Sequence, residues 1–143
     1  MKISTKGRYA LRLMVDLAMN ADKQPVRVKE ISARQEISDK YLEQIISVLT
    51  KAGFVRSTRG PQGGYRLAKE PKDYTVGSIL RLIEGKLCPV ACLETDENVC
   101  ERRAGCITLP LWEKLDEAIN NIVDNVTLQD LIDWDSEKNG KDV

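Results

Sequence analysis

Residues 38–68 read SDKYLEQIISVLTKAGFVRSTRGPQGGYRLA, and they change period half-way. Leu42, Ile45, Ile46 and Leu49 recur at i, i+3, i+4, i+7, the spacing of one buried helix face, and predict a helix over 39–52. Ser38 stands where an N-cap belongs, and Gly53 stands where a left-handed residue ends a helix. The opposite face carries Lys40, Glu43, Gln44, Ser47 and Lys51, all able to hydrogen-bond. After Gly53 the pattern becomes strand-like, over 54–58 and again over 65–68. The six residues between, Arg59-Gly60-Pro61-Gln62-Gly63-Gly64, are turn formers and predict a hairpin.

Working upstream, 28–35 predicts a short helix with Val28 and Ile31 inward, joined to the next by a tight connection at Glu36-Ile37. Two short helices joined by a tight turn, the second with a hydrogen-bonding face, make a helix-turn-helix pattern. A plain three-helix bundle with a polar outer face fits the helices equally well. The hairpin directly after them separates the two readings, because it is the wing of a winged helix. An arginine at such a wing can enter a narrow minor groove, where the negative potential is enhanced. The Gly-Pro-Gln-Gly-Gly run is no phosphate-cradling loop, since it lacks the G-x-x-x-x-G-K-[ST] pattern and leads into a strand. Further upstream, Ala10, Leu13, Met14 and Leu17 predict a helix over 4–20, capped by Ser4 or Thr5. A turn follows from Asn20 to Pro25.

Downstream, Pro71–Tyr74 is a connector. Thr75 caps a helix with Val76, Ile79, Leu80 and Ile83 on one face, ended by Gly85. A long helix runs from a cap at Thr108 to about Asn125, with Pro110 tolerated in its first turn. Leu111, Leu115, Ala118, Ile119 and Ile122 give it a face too broad for a small wing domain to cover. A second copy of the chain is the expected cover, and packing back on Tyr9 and Leu13 of the first helix is the alternative. A last short helix is expected from Thr127 through Leu131, Ile132 and Trp134, then a polar, frayed tail. The chain thus divides into a winged helix-turn-helix over 1–70, a linker helix, loop and dimerisation helix over 71–134, and a tail over 135–143. The fold class is mainly α with a small β-hairpin wing.

Between Leu87 and Cys106 lie all four cysteines, Cys88, Cys92, Cys100 and Cys106, spaced C-x3-C-x7-C-x5-C, and the chain has no histidine. Thiolates are the preferred ligands of zinc, copper(I) and iron–sulfur clusters. The N-terminus is broken up by Lys6, Arg8 and Arg12 and does not read as a secretory signal, and no apolar run is long enough for a bilayer. A cytoplasmic chain without membrane contact is expected, where lasting disulfides are rare. That favours metal over disulfides.

Residues 1–70 hold 14 Lys+Arg against 7 Asp+Glu, whereas 71–143 hold 8 against 15. Such asymmetry suggests a first half that meets a polyanion, although solvated faces can also divide this way by chance. With no histidine and no nucleophile–base constellation, the chain does not read as an enzyme.

Four stretches together carry a resemblance. They are Lys2-Ile3-Ser4-Thr5-Lys6-Gly7-Arg8-Tyr9-Ala10, Tyr41-Leu42-Glu43-Gln44, Arg59-Gly60-Pro61 with Gly63-Gly64-Tyr65, and Cys92, Cys100 and Cys106 followed by Trp112. From Met1 to about Asp133 the chain resembles the winged-helix regulators of the IscR, NsrR and CymR kind. The resemblance implies a homodimer with crossing C-terminal helices. It implies transcriptional regulation, often repression, of iron–sulfur assembly or sulfur metabolism genes at double-stranded DNA operators. It makes Cys92, Cys100 and Cys106 ligands of an iron–sulfur cluster, the 2Fe–2S form placed ahead of 4Fe–4S, and carries DNA contact onto Tyr41, Glu43, Gln44 and Arg59. The residue pattern adds Ser38 and Lys40 at the helix start, and Arg56, Gly60 and Gly63 at phosphates.

Two positions depart from the resembled pattern. Leu109 stands where the IscR kind has a histidine, and Arg8 where the NsrR kind has an acidic residue. The fourth ligand is therefore open among Cys88, Asp96, Glu97 and an external thiol, and Cys88 also reads as a small buried residue. Rival readings keep the DNA-binding fold but give the loop a structural zinc ion, or place control in a partner metabolic enzyme. The zinc spacing is unlike paired C-x2-C knuckles.

Overall fold

A computed structural model describes residues 2–22, 25–95, 97–98 and 100–141. In chain order these form α1 (Thr5–Met19), α2 (Val28–Gln35), α3 (Asp39–Lys51), β1 (Val55–Thr58), β2 (Gly64–Leu67), a 3-10 turn (Pro71–Asp73), α4 (Val76–Glu84), a second 3-10 turn (Ala91–Leu93), α5 (Leu109–Asn125) and α6 (Leu128–Lys141). The fold class is as the sequence predicts: helices with one two-stranded antiparallel hairpin.

Helix starts follow the expected caps. Ser4, Ser38 and Thr75 accept from the backbone N–H of Gly7, Tyr41 and Ser78, each cap worth about 1 kcal/mol. The turn into α3 is tight because Glu36 takes a left-handed conformation (φ 57°), which a polar residue tolerates better than a β-branched one. The core gathers Leu13, Met14 and Leu17 from α1, Ile31 from α2, and Leu42, Ile45 and Leu49 from α3. Each such side chain contributes roughly 1.5–3 kcal/mol by leaving water. Among the described residues one charge lies inside: the Asp16 side chain is 2 % exposed. It accepts from Arg34 Nε and Nη2 at 2.9 and 2.8 Å and from Gln35 Nε2 at 3.0 Å, which ties α1 to the end of α2.

The wing pairs Val55 with Leu67 through Thr58 with Gly64. Val26 adds a third, one-residue rung, bonded both ways to Tyr65 at 3.0 and 2.8 Å. A side chain at Gly64 has no room there, since a Cβ would lie 2.5 Å from the Val26 carbonyl oxygen.

The core continues past residue 70. Tyr74, Ile79 and Leu128 belong to it, and Leu128 is 0 % exposed. The end of α5 is stitched to the start of α4: Val76 N–H donates to Val126 at 2.8 Å, and Leu128 N–H to Tyr74 at 3.0 Å. Thr127 and Asp130 then cap α6 reciprocally, at 2.9 and 3.1 Å, as in a capping box.

Three expectations are corrected. α6 does not stop near Trp134 but runs to Lys141. Its polar residues bond one turn apart, Gln129 to Asp133 and Asn139 to Asp135, so a polar sequence remains helical. Thr108 sits at the N-cap of α5 but makes no side-chain cap bond, its backbone being already helical. The inner side of α5 packs on α4, and from α1 it is Leu11, not Tyr9 or Leu13, that joins the same cluster. Ile119 and Val123 meet the cluster of Val76, Leu80 and Leu87, while Leu13 is enclosed in the core and Tyr9 stands edge-on to Tyr41, ring centroids 5.6 Å apart. Arg81 of α4 fixes the register, bonding Asp124 and Asn120 at 2.5 Å each.

Candidate functional site

The polar row of α3 is uncovered. Lys40, Glu43, Gln44, Ser47 and Lys51 are exposed, one turn or less apart. Ser38 is exposed as well; its oxygen is engaged as a cap at 3.2 Å from Tyr41 N, and its hydroxyl hydrogen is left to donate outward. Tyr41 is half-buried, its ring held by Tyr9, over which the Arg12 guanidinium lies 5.3 Å from the centroid. Arg12 also donates to the Gln35 side chain at 3.2 Å and to the Gln35 carbonyl. The start of α3 is thereby braced from α1.

The wing stands beside this row. Arg56, Ser57, Thr58, Arg59 and Gly60 are exposed along β1 and the tip. Gly60 has φ 107°, a conformation that side chains rarely adopt. Gly63 serves the tip from inside: a Cβ there would collide with the Thr58 carbonyl. Between α3 and the wing runs an open groove of about 320 Å³, lined by Glu43, Ile46, Ser47, Thr50, Lys51, Ser57 and Tyr65. The Thr50 hydroxyl is buried in it without a partner. The groove thus joins the helix row to the wing, on which Arg56 and Arg59 are exposed. The groove members Thr50 and Ser57 are absent from the sequence reading, because nothing in their spacing shows that strand and helix face each other.

The cysteine loop leaves α4 after Gly85 and is rooted by Leu87, which is buried. Cys88, Cys92, Cys100 and Cys106 are all half-buried free thiols. Burial, with Glu94 and Asp116 nearby, pushes the Cys88 thiol above its ordinary pKa. The Thr108 hydroxyl, 3.4 Å from Cys106 Sγ, holds that thiol below its ordinary pKa, helped by backbone N–H groups and Arg102. The hydroxyl missing from the helix cap is thus spent on the sulfur.

The described hydrogen bonds inside the loop are short-range, such as Leu93 to Val90, Cys100 to Asn98 and Gly105 to Arg102. Among the described residues no three Cys, Asp or Glu side chains converge in a group that could hold a metal ion. Asp96, one candidate ligand, lies outside the described residues. The donor set itself fits an iron–sulfur cluster, which takes thiolates: four reduced sulfurs on one segment held by local turns. Neither departure supplies a ligand, since Leu109 has no donor and Arg8 is an exposed guanidinium bonded to Thr5 at 3.1 Å.

On the outer side of α5, Leu111, Leu115 and Ile122 are 51, 40 and 64 % exposed, and α5 has no buried residue. Among the described residues no helix is long and apolar enough to cross a membrane.

Comparison with known proteins agrees with this architecture. The family model Rrf2, described as an iron-dependent transcriptional regulator, matches residues 3–134. Protein rrf2 of Nitratidesulfovibrio vulgaris is 42% identical over 132 residues, 92% of this chain and 87% of the relative. The solved structure of CymR, the global cysteine regulator of B. subtilis, superposes with TM-score 0.79 at 38% identity, covering 94% of this chain and 98% of that one. That of T. potens IscR gives 0.78 at 41%, covering 96% and 90%. These relatives are regulators rather than enzymes, and the winged helix, the extra C-terminal helices and the extent of the match lead to one conclusion: the chain belongs to the Rrf2 family of transcriptional regulators.

Proposed function

We propose that this regulator binds operator DNA in the cytoplasm as a homodimer, with α3 in the major groove and Arg59 of the wing at the minor groove. The observation that carries this reading is the uncovered polar row of α3 lying next to the arginine-bearing wing. Tyr41, Glu43 and Gln44 face base edges, and Ser38, Lys40, Arg56, Gly60 and Gly63 lie at phosphates. The uncovered stripe of α5 supplies the dimer contact, which places two recognition helices on two half-sites.

We propose further that the loop reports iron–sulfur or cysteine status. Cys92, Cys100 and Cys106 would hold the cluster, 2Fe–2S ahead of 4Fe–4S, with Cys88 as the fourth thiolate. When bound, such a cluster supplies an oxidation-sensitive centre whose presence follows the cell's iron and sulfur supply. The chain's own part is to carry the thiols on one short segment, to favour the Cys106 thiolate through Thr108, and to root the loop on Leu87. Anaerobic purification with visible spectroscopy and iron and sulfide analysis tests this. A brown protein with equal iron and sulfide is expected, and Cys88→Ser should alter its spectrum while Cys92→Ser, Cys100→Ser or Cys106→Ser abolishes it. A colourless protein carrying zinc would replace the cluster by a structural metal. A metal-free protein would leave control to a partner, a reading that the similarity to a cysteine regulator favours.

A further inference from the structure

Arg27 is an exposed residue just before α2, and its side chain takes no part in capping that helix. It reaches across to the wing instead. Its guanidinium donates to the carbonyl oxygen of Pro61, at the hairpin tip. Its neighbour Val26 holds the same hairpin lower down through the two-way backbone pair with Tyr65. Two adjacent residues therefore fasten the wing at two heights. At the tip, Gly63 N–H closes the turn on the Gly60 carbonyl at 2.9 Å, and the proline ring fixes its own backbone.

A hairpin of two four-residue strands is marginal by itself. A tip left free must be ordered when DNA binds, and that ordering weakens affinity. Arg59 lies two residues before Pro61, so whatever fixes Pro61 also fixes where Arg59 starts. We propose that Arg27 is a positioning residue for DNA recognition: it holds the wing tip against the helix-turn-helix, so that Arg59 and α3 are presented together. This rests on the DNA-binding reading given above. A planar guanidinium suits the task, because one donor can hold the carbonyl while its other N–H groups stay solvated.

The test uses the full chain and a duplex enriched by the wild-type protein from a randomised library. Affinity is measured against salt for wild type, Arg27→Ala, Arg59→Ala and the double variant. Arg27→Ala should weaken binding about tenfold when Arg59 is present and less than about twofold when it is absent, with the salt slope unchanged; such non-additivity marks residues acting as a unit. Additive losses, with a slope reduced by about one in both backgrounds, make Arg27 an independent phosphate contact and overturn the proposal. Equal affinity of Arg27→Ala and wild type overturns it too. Hydrogen exchange at the Gly63 amide needs no DNA. It should quicken in Arg27→Ala, and an unchanged rate overturns the proposal. If Arg27→Ala quickens that exchange yet the wild type enriches no duplex, the wing is held as described and the DNA reading is what fails.

Discussion

At the scale of single residues, the buried Asp16 is the most exposed to damage by substitution. Three of its hydrogen bonds come from Arg34 and Gln35, and Arg34 is itself 39 % exposed. Arg34→Met leaves the carboxylate enclosed with one weak donor. A loss of about 1–3 kcal/mol is expected, the usual cost of stranding a buried polar group, read as a lower urea midpoint with unchanged slope. Asp16→Asn keeps some of the bonds without the charge and should lose less. On the proposed DNA-binding reading, the exposed Gln44 is the base reader, since an amide pairs bidentately with adenine for about 1–3 kcal/mol of discrimination. Gln44→Ala should relax preference at one position per half-site; unchanged selectivity in a randomised-operator titration would remove α3 from the reading role.

The polar row, the helix caps at Ser4, Ser38 and Thr75 and the turn glycines were legible in the sequence because each depends on neighbours within one or two turns. The Asp16–Arg34, Arg12–Gln35 and Arg27–Pro61 bonds were not. They join ordinary residue types across 18, 23 and 34 positions, and no local spacing announces such a pair. Whether the four cysteines gather is equally beyond local spacing, because it depends on the path of the loop.

At the scale of elements, α5 carries two apolar stripes that a single helical pattern merges. Ile119 and Val123 belong to the α4 contact, and only the stripe of Leu111, Leu115 and Ile122 is left uncovered. Leu115→Glu with Ile122→Glu should therefore leave the fold intact but yield monomers in sedimentation, with specific DNA binding lost. A dimer that survives both charges would place the contact elsewhere.

The α4–α5 seam is also sensitive to pH. The Arg81 side chain, through its hydrogen bonds, holds the Asp124 carboxyl below its ordinary pKa. A carboxylate with a depressed folded pKa contributes fully above its unfolded pKa, about 3.9, and the contribution fades as pH falls through the folded value. Asp124 is nearly half exposed, so the contribution is about 0.2–1 kcal/mol. Asp124→Asn should lower the urea midpoint at pH 7 and lower it by less near pH 3. An equal difference at both pH values would assign the effect to packing instead.

At the scale of the whole molecule, charge and core are divided differently. The basic half ends near residue 70, as composition suggests, but the hydrophobic core does not. Leu128 fills it beside α1, and the Tyr74–Leu128 and Val76–Val126 bonds lock it in place. The ribosome makes a chain from its N-terminus, so residue 128 emerges well after α1, α2 and α3. Until it does, the helix-turn-helix has a hole where Leu128 belongs, and a long loop must close before that hole is filled. The helix-turn-helix core is therefore closed only after Leu128 has been made, and a chain cut short before it should be more open to proteolysis than the intact one.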